Sequence, residues 1–429
     1  MPLPIPRKYD NHTFVEYAVH PSWLPRATAS LVQQALTTMP VVVITGARQT
    51  GKTTLVRSDP TLAQLPYLTL DDLSTRLQAQ ADPEVLVERA PRMVLDEVQR
   101  APGLLLALKR AVDRSPRQQG RFVLTGSANL LMLRRIADTL AGRAFYVTLW
   151  PLTQAELAGR GRTGLWSELL RVTPNRWEEV LTQSPGKWKD FRVAVRLGGF
   201  PIPAYHLQEE TQQALWFAGY IQTYLERDLP DLRAVENLAD FQRLMQACAW
   251  RLGGLLNQTE LGRDCGLSQP QVHRFLNVLE ASYLCVRLPA YAVNRTKRLI
   301  KAPKLYWGDT GLALHLSGEP EPRGVHLENL VLLDLLAWRD CQIKRPGLFY
   351  WRTADGLEVD FVVEHGHQLL PIEVKTSEKL IPKNARALEA FCQEYSDHAP
   401  RGLLLYAGSE TFPLTRHVLA TPWWRVLAA

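Results

Sequence analysis

From Val41 to about residue 150, short apolar runs recur between segments of helical period: "VVVIT", "PYLTL", "RMVLDE", "RFVLTGS" and "AFYVTLW". Strands alternating with helical stretches predict βαβ units and a mostly parallel sheet, since parallel neighbours need a crossover helix. Between 151 and about 195 the chain is rich in Trp and Arg, lacks strand alternation and predicts helices joined by loops. "GGFPIPAY", 198 to 205, is turn punctuation and marks a boundary. From 207 to about 285 the period becomes helical, most clearly in "QQALWFAGYIQTYLERDL". After 305 strands return in "GLFYWRT", "LEVDFVVE" and "LLPIEVKTS", which predicts a second α/β unit. The expected organisation is an N-terminal segment at 1–35, a core with a helical extension at 36–200, a helical domain at 201–304 and the closing α/β domain at 305–429.

A chain of 429 residues with 46% hydrophobic residues can bury a core in each of these units. No run reaches the roughly 18 apolar residues of a membrane span. "LENLVLLDLLAW" comes nearest, and Glu328 and Asp334 interrupt it. Prolines stand in "MPLPIPRKYDN" where a signal peptide has its apolar core, so a cytoplasmic protein away from the membrane is expected. The five cysteines are odd in number and lack CxxC spacing, which argues against a disulfide framework or a zinc site. The net charge of +7 is modest, but the segment "VRLPAYAVNRTKRLIKAPK", 286 to 304, holds Arg287, Arg295, Lys297, Arg298, Lys301 and Lys304 without one acid.

Gly46-Ala47-Arg48-Gln49-Thr50-Gly51-Lys52-Thr53, followed by Thr54, fits G-x-x-x-x-G-K-[ST] between a predicted strand and a predicted helix. Glycines let backbone N–H groups curl around phosphates, Lys52 reaches the β and γ oxygens, and the Thr53 hydroxyl ligates Mg²⁺. ATP and Mg²⁺ are the expected cofactors. Asp96 and Glu97 end the apolar strand "RMVLDE". There the first acid can hold Mg²⁺ through water and the second can polarise the attacking water. "RFVLTGSANL" adds Thr125, Ser127 and Asn129 as groups that could orient that water. Arg134, Arg135 and Arg143 are candidates to neutralise charge on the γ-phosphate from a neighbouring subunit, and Arg143 in "LAGRAF" is preferred.

"LNQTELGRDCGLSQPQVHRFLNVLEASYL" has the layout of a helix-turn-helix. Thr259 is expected to cap a short helix ending near Gly266, and Ser268 to cap the next. Val272, Phe275, Leu276 and Leu279 share a face at i, i+3, i+4 and i+7. That turns Gln269, Gln271, His273, Arg274 and Asn277 outward, donor-rich side chains suited to a DNA groove. The basic segment follows where the wing of a winged helix would lie, offering Arg295, Lys297 and Arg298 to phosphates. Winged helices also serve as protein-binding modules, so a protein partner stays open. In the last domain Asp360 precedes Glu373-Val374-Lys375, and strand alternation puts Glu373 and Lys375 on one face. With Glu328 from a helix, such a set could hold Mg²⁺ against a phosphodiester; a solvated charged face is the alternative.

The motifs "GARQTGKTTL", "LDEVQRAP", "LTGSANLL", "LAGRAFYVTLWPLTQAEL", "GGFP", "YLERDLPDL", "LEASYL", "WGDTGLALHL", "HLENLV", "EVDFVV" and "IEVKTS" stand in family order. In them the chain, from about residue 20 to 410, resembles prokaryotic AAA+ ATPases with a GxRQxGKT P-loop and a C-terminal domain of unknown function related to PD-(D/E)XK nucleases. The resemblance implies an ASCE-type α/β sheet with the Ser127 strand between the P-loop strand and the Asp96 strand, then a winged-helix domain and a nuclease-like α/β domain. It also implies nucleotide-dependent assembly, expected as a hexameric ring. "GGFPIPAY" departs from the family in lacking the acid many relatives carry after the proline. Three readings follow: an ATP-driven motor on duplex or branched DNA, such as junction migration; an ATP-gated, metal-dependent nuclease of defence or repair; and an ATP-dependent switch that binds a protein.

Overall fold

Five parallel strands make up the N-terminal sheet in the computed structural model, which describes residues 23–126, 139–228, 237–294, 296, 298 and 301–429. Helix α1 (Thr28–Leu36) leads into β1 (Val41–Thr45), and α2 (Lys52–Ser58) leaves the glycine-rich turn. There follow β2 (Tyr67–Thr69), β3 (Met93–Asp96), α3 (Leu104–Arg114), β4 (Phe122–Thr125) and β5 (Ala144–Thr148). The order is β2-β3-β4-β1-β5, so β4 lies between the P-loop strand and the Asp96 strand, as the resemblance implied.

The unbroken apolar sequence of β1 follows from burial on both faces. Val41 and Val43 pack with Leu104 and Leu108 of α3, while Val42 and Ile44 pack with Leu31 and Val32 of α1 and Leu55 of α2. Each such side chain contributes on the order of 1.5–3 kcal/mol. This burial on both sides pins the strand ends from which the site is built.

Short helices fill 154–197, and the helix Glu210–Thr223 buries Gln213, Phe217, Tyr220 and Ile221. Next come α4 (Leu238–Trp250), α5 (Gln258–Cys265), α6 (Gln269–Ala281) and an antiparallel pair, β6 (Cys285–Leu288) with β7 (Lys304–Trp307). Helix α5 is capped by Asn257, not Thr259, because the Asn257 carboxamide accepts the N–H groups of Thr259 and Glu260. Gly266 ends α5 in the left-handed region, and Val272, Phe275, Leu276 and Leu279 form the buried face of α6, both as expected.

The C-terminal part carries α7 (Thr310–Ser317), α8 (Gly324–Asp340), β8 (Gly347–Arg352), β9 (Glu358–His365), β10 (Gln368–Lys375), α9 (Arg386–Glu394), β11 (Gly402–Tyr406), β12 (Phe412–Pro413) and β13 (Val418–Pro422). Its mixed sheet runs β12-β13-β11-β10-β9-β8, with antiparallel hairpins β8–β9–β10 and parallel pairing of β10, β11 and β13. One apolar cluster runs from Trp150 through Phe275, Trp307 and Leu332 to Leu419 and Ala429. The boundary expected at 304/305 therefore cuts both β7 and a continuous core. Among the described residues no helix is long and apolar enough to cross a membrane. All five cysteines are unbridged.

Candidate nucleotide site

The P-loop backbone takes conformations that its sequence permits at some cost. Gly46 has φ +146° and Gly51 has φ +92°, and a Cβ on Gly46 would meet the Leu149 carbonyl oxygen at 2.3 Å. Gln49 adopts φ +61° without being glycine, a local strain of about 1 kcal/mol or more. The loop is braced from within: Thr50 Oγ1 donates to Ala47 O at 3.0 Å, and Lys52 Nζ donates to Ala47 O at 2.7 Å and Gly46 O at 3.2 Å. Arg48 is half-buried, and Thr54 is exposed on the first turn of α2.

Outside the loop Arg26, 6% exposed, acts as a clamp. Its guanidinium donates to Thr50 O at 2.8 Å, Trp150 O at 2.6 Å and Glu156 Oε1 at 3.2 Å. Glu156 is in turn held in a capping box with Thr153, which gives the segment "LTQAEL" a physical role.

Across the strand ends, Thr53 Oγ1 donates to Asp96 Oδ2 at 2.9 Å. Two hard oxygen donors side by side in this way suit Mg²⁺, which takes one or two protein oxygens and completes its shell with water and phosphate. Asp96 also accepts from Tyr67 OH at 2.7 Å and from Thr125 Oγ1. Burial first, and then Asp96, push the Tyr67 phenol up, so it remains a donor. Glu97 sits at φ +58°, with its N–H donating to Thr125 Oγ1 at 3.3 Å and its carboxylate accepting from Gln99. Thr125 Oγ1 is thus bonded to both acidic residues, to the Asp96 carboxylate and the Glu97 N–H.

Beside Gly51 and Thr54 lies a cavity of about 120 Å³ walled by Trp23, Leu152, Pro201, Ile202, Tyr205 and His206. The indole N–H of Trp23 is buried without a hydrogen-bond partner. The wall from "GGFPIPAY" is fixed by Asp309 at the start of α7, whose carboxylate accepts the N–H of Gly199 at 2.7 Å and of Phe200 at 3.3 Å. Burial raises the Asp309 carboxyl to about 6. At the foot of the P-loop, Thr45 Oγ1 is 2.9 Å from the hydroxyl of Tyr283, which follows α6 at φ +60°. Sequence reasoning missed Arg26, Tyr67 and Tyr283 as parts of this site.

The remaining expected residues divide. Ser127, Asn129, Arg134 and Arg135 lie outside the described residues, as do Arg295 and Lys297. Arg143 is not brought to the site of its own chain: it pairs with Asp113 at 2.6 Å, and its carbonyl accepts the N–H of Val41 at the opposite end of β1. His273 and Arg274 are exposed on α6. Gln271 is half-buried, because its carboxamide oxygen accepts the Ser268 N–H at 3.0 Å, so it serves the helix start rather than the open face. Arg298 is not a free cation either: it forms a two-pronged pair with Glu364 at 2.7 and 2.9 Å and stacks on Tyr291 and Phe349. Glu328, Asp360, Glu373 and Lys375 do converge, joined by Glu358 and Lys304.

The family described as "AAA domain" matches residues 38–158, and two domains of unknown function, DUF8612 and DUF4143, match 189–323 and 323–426. Two mycobacterial proteins, "Uncharacterized protein Rv2008c" of Mycobacterium tuberculosis and "Uncharacterized protein Mb2031c" of Mycobacterium bovis, are each 31% identical over 417 residues, covering 94% of this chain and 84% of each relative. Among solved structures, the Walker-type ATPase PABY2304 of Pyrococcus abyssi is 16% identical with a TM-score of 0.40, covering 68% of this chain and 98% of that one. The RuvB Holliday junction branch migration motor of Thermotoga maritima is also 16% identical, with a TM-score of 0.28 and coverage of 63% and 93%. Superpositions this loose carry no argument. The full-length relatives do: the chain belongs to the family of these mycobacterial proteins, and it carries a P-loop AAA-type ATPase domain at 38–158 and a DUF4143 domain at 323–426.

Proposed function

We propose that this protein hydrolyses ATP at the P-loop and uses the cycle to remodel or translocate duplex or branched DNA. The observation that carries the coupling is the Thr45–Tyr283 hydrogen bond, which joins the last residue of the P-loop strand to the end of α6. In this reading α5, α6 and the β6–β7 pair form a winged helix, and the exposed His273 and Arg274 meet the DNA.

The chain's own residues divide the chemistry. P-loop N–H groups and Lys52 bind the β- and γ-phosphates, and the cavity beside Thr54, walled by Trp23, Ile202 and Tyr205, takes the base. Thr53 and Asp96 would hold Mg²⁺, which supplies charge neutralisation on the phosphates. Glu97 takes a proton from the attacking water, its backbone fixed by Thr125. Assembly into a ring would let a neighbour present an arginine. Arg143 could serve only after leaving Asp113.

The DNA part is tested by fluorescence anisotropy with labelled duplex and four-way junction over a salt series. Binding should weaken steeply with salt, and Arg274→Ala should reduce the log–log slope by about 1 if it meets one phosphate. Salt-independent binding, or none, removes the DNA reading and leaves an ATP-dependent switch.

A further inference from the structure

In the C-terminal domain, acids from two elements, α8 and β9, surround one lysine that sequence reasoning assigned to the basic segment. Lys304 on β7 is 3% exposed. Its ammonium lies 2.6 Å from Glu358 Oε1, 2.9 Å from Glu328 Oε1 and 3.8 Å from Asp360 Oδ1, so helix α8 and strand β9 both converge on it. Around this centre, Tyr306 donates its hydroxyl to Glu328, and Asp360 Oδ2 accepts the Val374 N–H at 2.8 Å. Lys375 pairs with Glu373 Oε1 at 2.5 Å, and Glu373 Oε2 is buried without a partner.

A divalent ion at the expected nuclease-like position needs the carboxylates of Asp360, Glu373 and Glu328 to turn free lone pairs to one point, at about 2.0–2.1 Å for Mg²⁺. The residues do not fit that demand, because the Lys304 ammonium already stands among them. A primary ammonium is a compact point charge with three N–H donors, and carboxylates can surround it much as they would a metal. Among the described residues no group of three or more His, Cys, Asp or Glu is arranged to hold a metal ion.

We propose that Lys304 is the resident cation of this cage and excludes divalent metal from it, so that metal-dependent strand cleavage is closed to this domain while β7 is docked. The same strand pairs with β6, through Leu288 opposite Lys304, and Arg298 from the connecting segment is paired with Glu364 on β9. Two cations of the basic segment thus bind the β6–β7 unit to the C-terminal sheet. The proposal does not depend on what the ATPase acts upon.

The test is Mn²⁺ titration of the nucleotide-free full chain by calorimetry, with Tb³⁺ luminescence sensitised by Tyr306 as a second readout. Lys304→Met leaves buried acids uncompensated and is liable to misfold, so Lys304→Met/Glu358→Gln, which removes one charge of each sign, is measured beside it, with folding checked by circular dichroism. The folded lysine variant should gain one Mn²⁺ site at least tenfold tighter than any in the wild type, and adding Asp360→Asn should abolish it. The proposal is overturned if the wild type binds Mn²⁺ at a site lost in Asp360→Asn, or if the folded lysine variants bind no more tightly than the wild type.

Discussion

Replacing Arg26 with Met keeps most of the side chain's volume while removing its charge and all of its donors. The pair it forms with Glu156 is buried, at 5% and 3% side-chain exposure. Removing one member of such a pair costs about 3–5 kcal/mol, because the other charge stays behind. Glu156 would still accept the N–H groups of Ala27 and Thr153, both at 2.8 Å, which favours the lower end. At about 3 kcal/mol, and about 2–4 °C per kcal/mol for an unfolding unit of roughly 150–250 residues such as the N-terminal part, the melting transition of that part should fall by about 6–12 °C. Function should suffer separately. Thr50 O loses its 2.8 Å partner, so the P-loop loosens and the KM for ATP should rise by about tenfold with a smaller change in kcat. Scanning calorimetry and steady-state ATPase assays on Arg26→Met, Glu156→Gln and the double variant give the coupling energy directly. A melting temperature within 2 °C of wild type, roughly 1 kcal/mol or less, together with an unchanged KM, would refute the clamp.

Tyr283→Phe removes the hydroxyl's hydrogen bonds to Thr45 and Thr148, at a stability cost of about 1 kcal/mol each. Basal ATP turnover should persist while its response to DNA is lost; an unchanged DNA response would show that coupling runs elsewhere. Asp334 on α8 is buried, accepts from the Trp166 indole at 2.6 Å and the Gly164 N–H at 3.0 Å, and has its second oxygen unpartnered. Burial raises its carboxyl to about 7, so folding favours the protonated acid, and this stabilisation, present below about pH 4, fades as pH rises through 7. Relative to wild type, Asp334→Asn should therefore gain in melting temperature from pH 5 to pH 8; a difference that does not change with pH would contradict the assignment.

The parts legible in the sequence are those written locally. The P-loop is eight consecutive residues, Asp96 and Glu97 end an apolar run, and the buried face of α6 is a helical repeat. The parts that escaped depend on partners far along the chain. Tyr67 meets Asp96 29 residues away, and Tyr283 meets Thr45 across 238 residues. The stretch 286 to 304 looked free for phosphates because it holds no acid of its own. The acids that bind Arg298 and Lys304 come from α8 and β9, at Glu328, Glu358 and Glu364. Strands β11 and β13 went unseen for a related reason: inner strands buried on both faces show no alternation.

The central claim is that ATP hydrolysis by Thr53, Asp96 and Glu97 is coupled to DNA held on α6. The most direct measurement is steady-state ATP turnover with Mg²⁺, with and without single-stranded, duplex and four-way junction DNA, on the wild type, Glu97→Gln and Arg274→Ala. The account predicts DNA-stimulated turnover in the wild type, retained ATP binding but at least 100-fold slower turnover in Glu97→Gln, and loss of stimulation with basal turnover kept in Arg274→Ala. Turnover that responds to none of the DNAs, or that survives unchanged in Glu97→Gln, would contradict it.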